Sequence, residues 1–188
     1  TPEYCRLTRV IRDIPSTEIV DGNKQTNFRQ IVAQELDRRG QRSPDIRGRE
    51  IFRQEVDPAA LHLDELWYES GVGSEVFLQF ITEARDIAGF LRLSLPTAAP
   101  DSPPLVEELR GAAIIREVHV YGQALGIGEA EEGRAQHAGL GTQLIERAVA
   151  IASEKGYALL AVISAVGTRG YYRGRGFTDG ELYQVRTL

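Results

Sequence analysis

The chain of 188 residues contains no methionine, one cysteine and one tryptophan. Methionine is missing even at position 1, and the expectation is a processed or excised piece of something larger. A lone Cys5 cannot form an internal disulfide, and it excludes a thiolate zinc cluster or a protein-held iron–sulfur cluster. The expected setting is reducing and cytoplasmic. No stretch approaches ~18 consecutive apolar residues, so no helical membrane span is expected. Thr1 to Arg9 lacks the apolar core of a secretory signal. Neither lysine, Lys24 or Lys155, follows a glycine, which removes a Walker-type phosphate loop. G-x-S-x-G, H-E-x-x-H and Cys-x-x-Cys are absent as well.

Charge is plentiful but uneven. The net charge of −5 argues against a protein that coats itself with nucleic acid. Residues 1–53 carry a net of +3, residues 54–133 a net of −11 and residues 134–188 again +3. Both ends suit an anion; the middle does not.

Arg6 to Ile14 reads as a strand or extended arm ended by Pro15, and residues 26–39 as a helix capped by Gly40. Six arginines fall from Arg38 to Arg53, and a strand is expected at 49–56. Ala59 to Glu69 reads as a short helix. Glu75 to Thr82 and Ile87 to Leu95 read as paired strands, and Pro96 to Pro104 as a loop. Gly111 to Tyr121 is β-rich and precedes a polar loop with four glycines. Thr142 to Lys155 is the clearest helix: Leu144, Ile145, Ala148, Ile151 and Ala152 repeat at three and four, and Gly156 suits its end. The apolar run Ala158 to Ser164 suits a strand buried on both faces, followed by a short helix at 168–174 and a strand at 182–187.

The chemistry is concentrated in Gln136-His-Ala-Gly-Leu-Gly141, directly before that helix. Glycines let a ligand approach the backbone, and the first amides of a helix favour an anion. The order strand, loop, glycine turn, helix, strand is one βαβ unit with the turn at a strand's carboxyl end. A tight turn that merely caps a helix is the plain alternative. Gly139-Leu-Gly141-Thr-Gln-Leu144 lacks the third glycine of the dinucleotide fingerprint.

This loop resembles the Q/R-x-x-G-x-G/A loop of GNAT acetyltransferases. Arg116-Glu-Val-His-Val-Tyr-Gly122, Ala161-Val-Ile-Ser-Ala-Val-Gly-Thr-Arg-Gly-Tyr-Tyr-Arg173 and Gly176-Phe177 extend the likeness. Together they resemble the acetyltransferase domain of the Elongator catalytic subunit family. Arg12-Asp-Ile-Pro15 and Asp45-Ile-Arg-Gly-Arg-Glu50 resemble the stretch before that domain. The resemblance implies an α/β (α+β mixed-sheet) GNAT fold at 54–188 with a basic N-terminal extension at 1–53.

It also implies an acetyl-CoA site in a tRNA wobble-uridine modifying enzyme. There the thioester is labilised in a tRNA-dependent way, and the acetyl group is supplied to a radical S-adenosylmethionine domain. The iron–sulfur cluster and S-adenosylmethionine belong to that other domain, which Cys5 alone cannot replace. Expected partners are tRNA and the radical domain of the same full-length protein. A homo-oligomer or further subunits stay open, as do a stand-alone protein lysine acetyltransferase and a non-catalytic tRNA-docking module.

Glu117, His119 and Tyr121 alternate with Val118 and Val120 on a strand. Glu117 and His119 are candidates for a base or for orienting a water near the acetyl carbon, and the backbone of 117–120 for holding the thioester. Satisfied polar residues on a half-exposed sheet are the alternative. Tyr171 and Tyr172 are candidate proton donors to the departing thiolate, with the choice undecided because neighbours on a helix point ~100° apart. By the resemblance, Gln136, His137, Ala138, Gly139, Leu140, Gly141 and Thr142 cradle coenzyme A, His137 through its backbone amide. Arg169, Arg173 and Arg175 suit either an anion or a solvated basic helix end. Arg6, Arg9, Arg12, Arg38, Arg39, Arg42, Arg47 and Arg49 are the candidate tRNA contacts, since phosphates need only charge and reach. No metal ligands are expected. Loop 122–135, with its Glu129-Ala-Glu131-Glu132 run, is a candidate gate over the site.

Overall fold

The computed structural model describes residues 1–7, 16–22, 24, 28–51, 56–97, 106–121 and 139–188. It divides into two units, Thr1–Glu50 and Ile51–Leu188. No described helix is long and apolar enough to cross a membrane.

The first unit holds helix α1 (Phe28–Arg38) and the four-residue helix α2 (Ile46–Arg49). The carboxylate of Asp45 is fully buried and accepts from the amides of Leu7 and Arg47. Buried acceptors need such donors, and here they tie the N-terminal segment to the start of α2. Residues 8–15 and 25–27, which include the expected extended arm beyond Leu7 and the start of the expected helix, lie outside the described residues.

The second unit is a seven-stranded mixed sheet in the order β1-β2-β3-β4-β5-β7-β6. Its strands are β1 (His62–Ser70), β2 (Gly73–Ile81), β3 (Ile87–Pro96), β4 (Ala112–Val120), β5 (Leu159–Val162), β6 (Thr178–Asp179) and β7 (Gln184–Thr187). β1 to β4 form an antiparallel meander, while β4 and β5 are parallel. Helix α3 (Leu140–Glu154) makes the crossover between them. Leu144, Ile145, Ala148, Ile151 and Ala152 line its buried face and pack with Val76, Leu78, Leu91, Leu93 and Ile115 of the sheet. The three-four periodicity read from the sequence is the stripe that this sheet covers.

One expectation is corrected. Residues 59–69 are not a helix: a single 3-10 turn at Pro58–Ala60 leads into β1. Leu63, Leu66 and Trp67 have helical spacing, yet nine residues of antiparallel pairing with β2 decide the outcome. Of the expected strand at 49–56, residues 52–55 lie outside the described residues, and Arg49 ends α2 instead.

Two glycines set the ends of helices that frame the crevice. Gly156 (φ 82°) receives α3, with Tyr157 N–H donating to Ala152 and Gly156 N–H to Ser153. Gly176 (φ 82°) ends the short helix α4 (Arg169–Arg173) by the same pair of bonds, Phe177 N–H to Tyr172 and Gly176 N–H to Arg173. This Schellman closure brings Phe177 onto the Tyr172 ring, at 5.6 Å between centroids.

Candidate functional site

The site lies where β4 and β5 part. The two strands pair only from Ala112–Leu159 to Ile115–Val162, and β4 runs on to Val120 with no described strand on that edge. The first turn of α3 stands at the mouth, with Gly139 as a cap lacking any side-chain hydrogen bond. A crevice at the carboxyl ends of parallel strands, beside helix amides without a side-chain cap, is where anionic ligands settle in α/β sheets.

Gly141 is buried, and a Cβ there would collide with the hydroxyl of Tyr171 and lie 3.5 Å from Val120 Cγ2. A phenol and a strand side chain close on this backbone together, and glycine leaves the phenol its place. Tyr171 is 37% exposed, whereas Tyr172 is 8% exposed and belongs to the core with Phe177. Burial pushes the Tyr172 phenol above its ordinary range, so it stays protonated and enclosed. Of the two candidate tyrosines, the structure turns Tyr171 toward α3 and Tyr172 into the core.

Arg175 completes the cluster, where the sequence left open a solvated helix end. Its Nε and Nη2 donate to Thr142 Oγ1 at 3.1 and 2.6 Å, and Nη1 donates to the Tyr171 carbonyl at 2.7 Å. The guanidinium carbon lies 3.4 Å from the Tyr171 ring centroid. Gln184, buried in β7, secures α4 by donating to the Arg169 carbonyl and to Asp179 while accepting from Ser164.

On β4 the pairing with β3 slips between Arg92 and Leu93, leaving Arg116 as the extra residue of a bulge. The bulge lets Ile115 and Val118 both pack with the core, while Glu117 meets Arg92 at 2.8 Å. His119 Nε2 is 3.5 Å from Glu117, and its ring stacks on Phe90 at 5.0 Å. The His119 and Arg92 hydrogen bonds hold the Glu117 carboxyl far below the usual carboxylate range, at about 2. A carboxylate so stabilised is a poor proton acceptor and a good anchor for an imidazole. Arg92 also donates to the Tyr68 hydroxyl, which donates to Glu75 at 2.6 Å. Desolvation, with that bond to Glu75, pushes the Tyr68 phenol up to about 12.

Gln136, His137, Ala138 and the whole candidate gate at 122–135 lie outside the described residues, as do Arg9 and Arg12. Arg38 and Arg39 are exposed and share Glu35, while Arg42 and Arg47 are exposed and Arg6 meets Glu50 at 3.4 Å. Arg49 differs from the expected phosphate contacts. It is 2% exposed, and its guanidinium donates to the carbonyls of Pro44 and Glu3. That guanidinium is engaged inside the first unit and is not presented to a phosphate. No described group of three or more His, Cys, Asp or Glu residues is arranged to hold a metal ion.

The meander, the parallel pair that parts, and the crossover helix that opens beside Gly139 define a mixed α/β domain with an anion-favouring site at the carboxyl ends of its parallel strands. No family model matches the chain. It is 38% identical over 94% of its length to a tRNA uridine(34) acetyltransferase of Dehalococcoides mccartyi, and 37% identical over its whole length to Elongator complex protein 3 of Dictyostelium discoideum. Among solved structures, an archaeal Elp3 of Methanocaldococcus infernus with an N-terminal deletion superposes over the whole chain with a TM-score of 0.78 at 32% identity. The chain belongs to this Elongator protein 3 family. It spans 39% and 34% of the length of those two curated relatives and 45% of the archaeal structure.

Proposed function

We propose that the chain is the acetyl-CoA-binding part of an enzyme that modifies the wobble uridine of tRNA. In this reading it labilises the acetyl-CoA thioester when tRNA is present and supplies the acetyl group to a radical S-adenosylmethionine domain elsewhere in the protein. The observation that carries the reading is the meeting of Gly141, Tyr171 and Val120 at the first turn of α3, beside the edge of β4 that no described strand pairs. The name of the bacterial relative, a tRNA uridine(34) acetyltransferase, supports the substrate class.

The residues present suit the ligand. Amides at the start of α3 favour the phosphates, and the Thr142 hydroxyl stands in the same first turn. The edge of β4 from Glu117 to Val120, which no described strand pairs, offers backbone groups to an acyl chain. Tyr171 is the candidate donor of a proton to the departing thiolate, and Tyr172 packs beneath it. Glu117 holds and orients His119, which is the better placed of the two to accept a proton from a water. The exposed arginines of the first unit, Arg38, Arg39, Arg42 and Arg47, are the candidate contacts to tRNA phosphates.

The test is release of coenzyme A thiol from acetyl-CoA by this chain, with and without tRNA, beside a Gly141→Arg control. Release that requires tRNA and vanishes in the control is expected. Absence of acetyl-CoA binding in the wild-type chain would refute the reading.

A further inference from the structure

Arg175 is unusual among the described arginines. Arg6, Arg38, Arg39, Arg92, Arg110, Arg116, Arg147, Arg173 and Arg186 each meet a carboxylate within 4 Å. Arg175 meets none among the described residues. Its partners are a hydroxyl on α3, a carbonyl on α4 and the face of Tyr171. The charge stands beside a helix N-terminus, where the dipole disfavours a cation. A guanidinium kept there without a carboxylate is explained by what its planar fork holds together.

We propose that Arg175 is the positioning residue of Tyr171. The guanidinium carbon lies 3.4 Å from the centre of the phenol ring, and the group is bonded through Nη1 to the Tyr171 backbone and through Nε and Nη2 to Thr142 on the facing helix. It therefore fixes both the ring of Tyr171 and the distance from α4 to the first turn of α3. The phenol is pressed against Gly141 from one side by this clamp, and Gly141 has no side chain to resist it. Thr142 and Arg175 are 33 positions apart, so the clamp joins two elements that no local sequence signal couples. The consequence for acetyl-CoA rests on the acetyl-CoA reading above; the placement of the ring does not.

The experiment uses the chain as it stands, with 13C-labelled tyrosine rings, and the Tyr171 signal is assigned by Tyr171→Phe. Arg175→Leu is expected to move the Tyr171 ring signal toward the position of free tyrosine and to weaken acetyl-CoA binding about tenfold, from one stacking contact and its hydrogen bonds. Arg175→Lys keeps the charge without the fork, and it is expected to behave like Arg175→Leu. In a Tyr171→Ala background, Arg175→Leu is expected to add less than about twofold, because the ring it positions is gone. An unmoved Tyr171 signal, a fully active Arg175→Lys, or effects that multiply in the double variant would overturn the proposal. If wild-type chain fails to bind acetyl-CoA, the acetyl-CoA reading falls, and the Tyr171 signal alone decides the positioning claim.

Discussion

The hydroxyl of Tyr171 occupies the space that a Cβ on Gly141 would need. The obstacle is the far end of a side chain that can rotate away, so Gly141→Ala displaces a phenol rather than a backbone. Alanine also favours the helix by about 1 kcal/mol relative to glycine. The melting temperature of Gly141→Ala is therefore expected to be unchanged or slightly raised, with acetyl-CoA binding reduced about tenfold or more. Calorimetry of the same sample measures both. A variant that loses stability and affinity together would mean that Gly141 serves packing alone.

The two adjacent tyrosines separate by the same kind of measurement. Tyr172→Ala removes a core ring that packs on Phe177 and is expected to cost about 3–5 kcal/mol of stability. Tyr171→Phe is expected to leave stability within about 0.5 kcal/mol and to lower tRNA-dependent thiol release. Urea unfolding beside the release assay reads both.

Glu117 gives a pH dependence with a fixed sign. Its pKa is lowered to about 2 in the folded state by His119 and Arg92, against an ordinary 4.5. Its contribution is therefore fully present above pH 4.5 and is lost as pH falls through the folded value. Discounted for partial exposure, that contribution is about 1–2 kcal/mol. Glu117→Gln is expected to lower stability by that amount at pH 7 and to flatten the acid limb between about pH 4.5 and 2. Equal acid limbs in the two proteins would show that the ion pair contributes nothing.

Replacing Arg92 with methionine removes a donor from two groups at once, the Glu117 carboxylate, left with His119, and the Tyr68 hydroxyl, left with Glu75. A decrease of about 2–4 kcal/mol is expected in denaturant unfolding. Recovery in an Arg92→Met, Glu117→Met double variant would identify the carboxylate that lost its guanidinium as the cause.

The arginines of the first unit predict two different outcomes. Alanine at Arg38, Arg39, Arg42 and Arg47 is expected to shallow the salt dependence of tRNA binding, by about 0.7–0.9 in the log–log slope for each phosphate that no longer has a guanidinium beside it. Arg49→Met is expected to leave that slope alone and to loosen residues 1–50, because its bonds to Glu3 and Pro44 are internal. Filter binding across a salt series, with hydrogen exchange on the variants, distinguishes them.

Much of the second unit is legible in the sequence because its signals are local. The stripe on α3, the apolar run of β5 and the glycine after each helix act within a few residues. β1 is misread because its Leu63, Leu66 and Trp67 suit a helix, and only the distant partner strand β2 overrules them. The choice between Tyr171 and Tyr172 did have a signal. Gly176 fixes Phe177 as the residue that packs back on the fifth position before it, which is Tyr172. The Arg175–Thr142 bond and the Arg92–Glu117 pair lack any such signal, since each joins residues 25 or more apart.

Strand β7 sits inside the sheet, between β5 and β6, although it is formed by residues 184–187. The interior of the sheet is thus closed by a four-residue strand, far from β5 along the chain. A chain shortened before Gln184 retains β1 to β5 but bares the edge of β5, whose Leu160, Ala161 and Val162 are otherwise buried. An apolar open edge recruits other chains. Strand β7 is therefore what keeps β5 from being an edge, and its four residues shield the apolar run beside the site.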